Sequence, residues 1–457
     1  MSSDMDRRQF LGRAASAGIS LSLPISAAAA IPQSKPRPRG AKSLAGFAPA
    51  PMSKVRMGMI GVGARGSGHV GDLLKLDGVE ISAICDLYPD WAERSAKRCT
   101  DAGRPRPELY TGGKDDFLKM VSRDDIDAIV VSTPWEEHAR MAIAAMNAGK
   151  HVFVEVPMAT TTEECWAIVD TAERTQRHCM MLENVCYGRE ELLVLNMVAH
   201  GVFGEILHGE GAYIHDLRGQ MNEVERGTGS WRTVHYQKRN GNLYPTHGLG
   251  PVAQYMDINR GDRFDFLSSV SSNSRARNEF ATEHFSNDHK WNKRPFVCGD
   301  INTTIVRTAR GRTLMVQWDE QLPRPYNRLN LLQGTKGVWG GFPNRCVIEG
   351  RSPSTDQWQQ SGDLKPFYDR YEHPLWAKVG ELAKGSGHGG MDFVMWWRAI
   401  QCLRDGLPLD QSVYDGAAWT SIGTLSEVSV ASRGRSVDVP DFTRGGWKTA
   451  KPLGIVS

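Results

Sequence analysis

Gly61-Val62-Gly63-Ala64-Arg65-Gly66 forms a G-x-G-x-x-G run. Glycines at this spacing let a chain turn tightly, approach a pyrophosphate and pack a helix close behind the turn. Asp86 follows Gly66 by 20 residues. A carboxylate there accepts hydrogen bonds from an adenosine ribose diol and repels a 2′-phosphate, which favours NAD over NADP. Arg65 pulls weakly the other way. The alternative is a tight structural turn with an incidental acid. His247 lies between Thr246 and Gly248 in a polar, turn-rich stretch. An imidazole there serves either structure or general acid–base work, since its unperturbed pKa is near neutral. Tyr213, Tyr244 and Tyr326 carry neutral hydroxyls that can donate or accept, or simply sit at a domain edge. Arg232, after Gly229-Ser230-Trp231, reads on its own as a surface ion pair.

These residues need a scaffold. Apolar runs at Val55–Val62, Val79–Cys85, Ile126–Ser132, His151–Val156 and Cys179–Glu183 read as strands. Helical patterns such as Ala139–Ala148 and Thr162–Thr175 lie between them. This alternation predicts a doubly wound parallel sheet of Rossmann type over residues 54–184. The glycine run follows the first strand. Asp86, Trp135-Glu136-Glu137-His138 and Glu155-Val156 follow later strands, on the edge where ligands bind. After about residue 185 longer strands succeed one another without helices: Ile206–Tyr213, Leu267–Asn273, Asn302–Ala309, Thr313–Trp318 and Asn330–Gly334. They predict an α+β domain over 185–457 with an open mixed or antiparallel sheet. Arg310-Gly311-Arg312 marks a hairpin, and residues 391–405 and 413–432 read as helices.

The bulk numbers exclude several classes. The chain has 457 residues, 40% hydrophobic and 23% charged, with a formal net charge of +3. That is ordinary globular composition with scattered basic residues, which gives no case for nucleic acid. Beyond the N-terminus no apolar run reaches the roughly 18 residues of a membrane span. The eight cysteines form no C-x-x-C and select no disulfide pair or zinc site. Arg7-Arg8-Gln9-Phe10-Leu11 precedes a weakly apolar, Ala/Ser-rich stretch to Ala30. Residues 1–30 therefore resemble a twin-arginine signal, which implies periplasmic or secreted delivery through the Tat machinery without a lipid anchor. Residues 31–53 read as a linker.

The glycine run, Asp86 and the strand-end motifs resemble the Gfo/Idh/MocA oxidoreductase superfamily, over roughly residues 54–450. That superfamily usually carries Glu-Lys-Pro where this chain has Glu155-Val156-Pro157. Its lysine commonly assists proton transfer, and valine has no proton to give. Trp135-Glu136-Glu137-His138, Glu183-Asn184-Val185, Tyr244-Pro245-Thr246-His247-Gly248-Leu249-Gly250-Pro251 and His388-Gly389-Gly390-Met391-Asp392 resemble one branch, glycoside hydrolase family 109. The resemblance implies NAD contacts at Ala64, Arg65, Asp86, Trp135, Glu136, Glu137, His138, Glu155, Val156, Asn184, Tyr244, Pro245, Thr246 and His247, beside Gly61, Gly63 and Gly66 of the loop. It implies substrate contacts at Tyr213, Arg232, Tyr244 and Tyr326. His388 and Asp392 would brace the site.

The resemblance further implies an α-N-acetylgalactosaminidase that uses tightly bound NAD and recycles it each turnover. The sugar is oxidised at C3, loses its aglycone by elimination, takes up water and is reduced again. His247 would be the general acid/base near C3. Two rivals remain. One is an exported sugar oxidoreductase of the same superfamily with trapped NAD(P). The other is a non-catalytic sugar- or nucleotide-binding protein that retains the fold. A homo-oligomer built on an exposed face of the second sheet is a further expectation.

Overall fold

The computed structural model describes residues 34–456. The candidate signal at 1–30 lies outside the described residues. The first sheet comprises β1 (Val55–Ile60), β2 (Val79–Cys85), β3 (Glu108–Tyr110), β4 (Ala128–Val131), β5 (His151–Val154) and β6 (Cys179–Met181). Their order is β3-β2-β1-β4-β5-β6, and every pair is parallel. β4 and β5 are buried at every position, as expected for strands covered by helices on both faces. The order reverses between β1 and β4. The crevice at their carboxyl ends is the ligand position of such sheets.

The second sheet holds β7 (Ile206–Ile214), β8 (Phe264–Ser271), β9 (Asn302–Thr308), β10 (Thr313–Asp319), β11 (Leu331–Gly334), β12 (Gly337–Gly340), β13 (Arg345–Ile348), β14 (Gln359–Gln360) and β15 (Val437–Asp438). Their order is β14-β13-β12-β11-β7-β10-β9-β8-β15. β7 and β10 run parallel, and the other neighbours run antiparallel. The expected hairpin joins β9 to β10, with Gly311 at φ +87°. The fold is thus the Rossmann-plus-mixed-sheet α/β class that the sequence predicts.

Two late helices return to the first domain. Met391–Asp405 packs on the helix Ala64–Leu73 and on β1. Its Trp396 is fully buried against Phe153 of β5, with ring centroids 5.1 Å apart. Val413–Ala431 opens with a capping box, Ser412 with Asp415, and is buried on most sides between β8 and the helix Thr162–Thr175. A helix that is apolar all round is one packed all round.

Three expectations need correction. Residues 34–53 do not behave as a free linker. Lys42 N–H donates to Glu173 O, Leu44 N–H to Tyr414 Oη and Met52 N–H to Leu403 O, so the segment is laid across both domains. Trp135–His138 do not trail a strand end; they are the first turn of the helix Trp135–Asn147. The stretch around His247 is not turn-like. It is the helix Thr246–Tyr255, which carries Gly248, Gly250 and Pro251. These residues are usually helix-breaking, but here they serve contact. A Cβ on Gly248 would stand 2.0 Å from Ala212 N, and one on Gly211 2.4 Å from Gly248 O. Only paired glycines let this helix lie directly on β7.

Candidate functional site

A cleft of about 930 Å³ runs between the two sheets, within the roughly 300–1,000 Å³ range of small-molecule and cofactor sites. The glycine loop floors one end. Gly61 sits at φ +81°, where a Cβ would approach Ser132 O to 2.6 Å, and a Cβ on Gly66 would stand 1.9 Å from Gly61 O. Gly63 caps the helix Ala64–Leu73 with no side-chain hydrogen bond. The helix's first amides therefore stay available to an anion. Asp86, at the end of β2, accepts from Val62 N–H at 2.7 Å and Tyr88 N–H at 2.8 Å. Burial raises its carboxyl above the usual range against those two bonds. A carboxylate offers about four acceptor sites, so two remain. This cradle fits a dinucleotide with an unphosphorylated ribose.

Arg65 leaves the loop toward the other domain. Its Nε donates to Glu155 Oε1 at 2.7 Å, while Nη1 and Nη2 bind Asp392 at 2.6 and 3.0 Å. His69 Nε2 lies 2.7 Å from Glu155 Oε1, and Trp396 Nε1–H donates to His69 Nδ1 at 2.9 Å. The His69 proton therefore sits on Nε2. Burial works against charge on Glu155 and Asp392, but Arg65 with His69 or His388 holds both carboxyls well below the usual range. Asn184 Nδ2 donates to Asp392 Oδ1 at 2.6 Å. Val156 is buried and lines the cleft without any titratable atom. His138 is buried with Nδ1 2.7 Å from Pro157 O and Nε2 2.8 Å from Thr133 O. Burial lowers its pKa, so it braces the ends of β4 and β5 and does not face substrate as a base. Glu136 and Glu137 line the cleft beside it.

The other wall is aromatic. The Tyr213 ring packs 5.0 Å from His247, 4.9 Å from Tyr244 and 5.7 Å from His215. Burial raises the phenols of Tyr213 and Tyr244, so both are neutral donors at ordinary pH. The Arg232 guanidinium lies 4.9 Å from the Trp135 ring and 4.6 Å from the Tyr244 ring, beside a stacked pair whose own centroids are 5.8 Å apart. Its Nε donates to Tyr236 Oη at 3.0 Å and its Nη2 binds buried Glu320. Burial opposes its charge, and Glu320 raises its pKa on balance. These ring contacts and hydrogen bonds hold the guanidinium in place and leave Nη1 uncommitted among the described residues.

His247 completes the site. It sits in the first turn of its helix, with Nδ1 2.7 Å from Glu183 Oε1. Glu183 is fully buried and escaped the sequence reading as a functional residue. Its only signal was its place in the Glu183-Asn184-Val185 motif at a strand end, which gave it no role. Four candidates stand off the cleft wall. Gly66, Pro245 and Thr246 lie behind it, where they shape the loop and the helix start. Tyr326 stands behind Tyr213 and His215, 39% exposed, its hydroxyl accepting from Arg328 Nη1 at 2.8 Å.

Two straps of the second domain roof the dinucleotide end. Gly385, Ser386, Gly387 and His388 face the glycine loop across the cleft. Lys75 Nζ donates to Ser386 Oγ at 2.5 Å, and His388 adopts φ +52°. At the adenine end Arg226 lies 4.5 Å from the Trp91 ring and 5.0 Å from the Tyr88 ring, and pairs with Asp90 at 2.6 Å.

The chain matches known proteins over both domains. Residues 55–183 match the family model for the oxidoreductase family, NAD-binding Rossmann fold, and residues 187–449 match that for glycosyl hydrolase 109, C-terminal domain. A Glycosyl hydrolase family 109 protein of Shewanella pealeana is 55% identical over 457 residues, covering 99% of each chain. One from Shewanella baltica is 57% identical over 424 residues, covering 92% of each. A levoglucosan dehydrogenase in complex with NADH shares the fold with TM-score 0.64 at 21% identity, over 85% of this chain and 100% of the other. An NAD binding oxidoreductase from Klebsiella pneumoniae does so with TM-score 0.67 at 18% identity, over 84% and 99%.

Proposed function

The chain belongs to glycosyl hydrolase family 109, and from that membership and the cleft we propose that it hydrolyses terminal α-N-acetylgalactosaminides. In this reading NAD is held tightly and recycled within each turnover. The observation that carries the mechanism is the change of proton-handling group. Val156 stands where a lysine would serve a dehydrogenase, and His247 supplies the imidazole from the opposite wall.

NAD held by the glycine loop and Asp86 would supply a reversible hydride acceptor for C3 of the sugar, which would then be a ketone only within the turnover. The protein's part is orientation and proton transfer. His247 Nε2 takes the C3 hydroxyl proton and later gives it back. The neutral phenols of Tyr213 and Tyr244 donate to sugar oxygens, and Arg232 Nη1 binds a hydroxyl or the acetamide carbonyl. A C3 ketone acidifies C2, so the C2 proton passes to water as the C1 substituent leaves with its bonding pair, and water then adds to the enone with its hydroxyl on C1 and a proton on C2. Direct hydrolysis needs a carboxylic acid to protonate the leaving group. Glu155 and Asp392 are both engaged by Arg65 and held ionised, which supports the eliminative route. The two roofing straps support tight NAD retention.

Purified protein is incubated with an aryl α-N-acetylgalactosaminide in deuterated water without added NAD. The expected result is aglycone release, deuterium at C2 of the freed sugar and no net NADH. His247→Ala should lower turnover roughly 10²–10⁴-fold with NAD still bound. Cleavage with C2 unlabelled would overturn the redox route. With NAD supplied in excess, steady NADH formation from free sugar without cleavage would favour the exported sugar oxidoreductase. Recycled NAD also suits a protein that folds around its cofactor before Tat export to the periplasm. The open face of the second sheet, where Val270 is 59% and Ile305 46% exposed, suits a homo-oligomer, which sedimentation velocity tests.

A further inference from the structure

Glu183 follows β6 in the first domain, yet its side chain meets a helix of the second. Oε1 accepts Val185 N–H at 3.2 Å and lies 2.7 Å from His247 Nδ1. Oε2 is buried with no hydrogen-bond partner among the described residues. The carbonyl oxygen of Glu183 accepts from Gln411 Nε2 at 2.9 Å, which fixes the backbone beneath it. Room for the side chain comes from Gly250, one turn along the helix from His247. A Cβ there would stand 3.0 Å from Glu183 Cγ and 3.0 Å from Cys186 Sγ. The glycine-rich helix start thus serves two contacts, Gly248 against β7 and Gly250 against the carboxylate.

A cap for the single turn at Asn184–Tyr187 needs only one acceptor for Val185 N–H, which a neutral side chain provides. A buried carboxylate costs several kcal/mol in desolvation unless a partner compensates it. We infer that Glu183 is the positioning residue of His247 in the reaction proposed above, a role that rests on that reading. Its carboxylate accepts Nδ1–H and selects one imidazole tautomer. The lone pair is then on Nε2, which has no protein partner among the described residues and belongs to a cleft-lining side chain. When Nε2 takes a proton from a sugar hydroxyl, the substrate oxygen loses that proton and the imidazole becomes imidazolium. Nδ1 keeps its own proton and Glu183 stays a carboxylate, in contact with the charge that has formed. The pair is complete only when the two domains are docked.

The full chain, labelled with ¹⁵N-histidine, is observed by NMR in mildly alkaline buffer, with the His247 signals assigned by their loss in His247→Gln. The expected result is protonated Nδ1 and unprotonated Nε2; the opposite tautomer overturns the assignment. Glu183→Gln keeps an acceptor for Val185 N–H and Nδ1–H but removes the charge. It should retain NAD and leave KM within about twofold while kcat falls roughly 10²-fold or more. Wild-type kcat in that variant, with NAD bound, overturns the role. Should Glu183→Gln fail to fold, the tautomer of the wild-type protein still decides. Should the wild-type protein cleave no aryl glycoside, the reading beneath fails on its own, and the NMR result still tests Glu183.

Discussion

Arg65 grips Asp392 with two hydrogen bonds, Nη1 to Oδ2 at 2.6 Å and Nη2 to Oδ1 at 3.0 Å, and so ties the glycine loop to the helix that starts at Met391. The same residue holds Glu155 through Nε. One guanidinium therefore links the cradle, the end of β5 and the returning helix. Along this seam the second domain closes over the first.

Closure should control cofactor release. Lys75→Ala with Arg226→Ala removes the exposed fastenings of both straps and leaves the loop and Asp86 intact. Bound NAD should leave this variant several-fold to about tenfold faster, since a few exposed contacts are worth little singly but act together. Release is followed by trapping free nucleotide after dilution. An unchanged rate would mean that the straps do not retain NAD.

Asp86 should set cofactor choice. Asp86→Ala removes the acceptor that the ribose diol needs and the negative charge that repels a 2′-phosphate. Calorimetry on protein stripped of nucleotide should show NAD binding weakened and the preference over NADP narrowed. The loop should remain formed, because Gly61 and Gly66 owe their positions to backbone contact.

Arg232→Lys should raise KM about tenfold or more with NAD content unchanged. Lysine keeps the charge but has no plane to lie against Trp135 and Tyr244 and no fork to reach Tyr236 and Glu320. Steady-state kinetics on an aryl glycoside reads the effect. An unchanged KM would remove Arg232 from the sugar site.

Acid should destabilise the fold well before the carboxylates titrate. Burial lowers His151 to about 4, His178 to about 3 and His373 to about 4, from an ordinary value of 6.5. Groups depressed in this way give their full stability above about pH 6.5. It is lost as pH falls toward 3–4, because the unfolded chain takes up protons that the folded chain refuses. His178 packs 4.9 Å from Phe47 and its Nε2 has no hydrogen-bond partner among the described residues. His178→Phe should therefore flatten the decline in denaturant midpoint between pH 6.5 and 4. An equally steep decline would place the acid sensitivity elsewhere.

Export is tested at the other end of the chain. Arg7→Lys with Arg8→Lys should leave the protein in the cytoplasm, still carrying NAD, as read by fractionation. Undiminished periplasmic protein would reject the twin-arginine reading.

Strand–helix alternation made the first domain legible because each parallel strand is a short apolar run between amphipathic helices. β3 escaped because its three residues are only half buried or exposed. In the second domain β7 to β11 were legible, whereas β12 and β13, as short as β11, and the two-residue β14 and β15 were not. The helix carrying His247 was misread for a physical reason. Gly248, Gly250 and Pro251 oppose helix in isolation, and only packing against β7 and Glu183 explains them. Glu183 was hidden likewise, because a carboxylate beside an imidazole 64 residues away in sequence leaves no local pattern.

Gly211 and Gly248 meet backbone to backbone, and this contact has a consequence for divergence. The close approach of the His247 helix start to the sheet is set here by backbone contact and not by Tyr213 or Tyr326, so exchanges among those residues and their neighbours can remodel the sugar pocket while the helix keeps its seat. A lineage built this way can change its preferred glycoside by small steps and keep its chemistry throughout. The same contact is an evolutionary ratchet, since the first methyl group added at either glycine would lift the histidine out of reach.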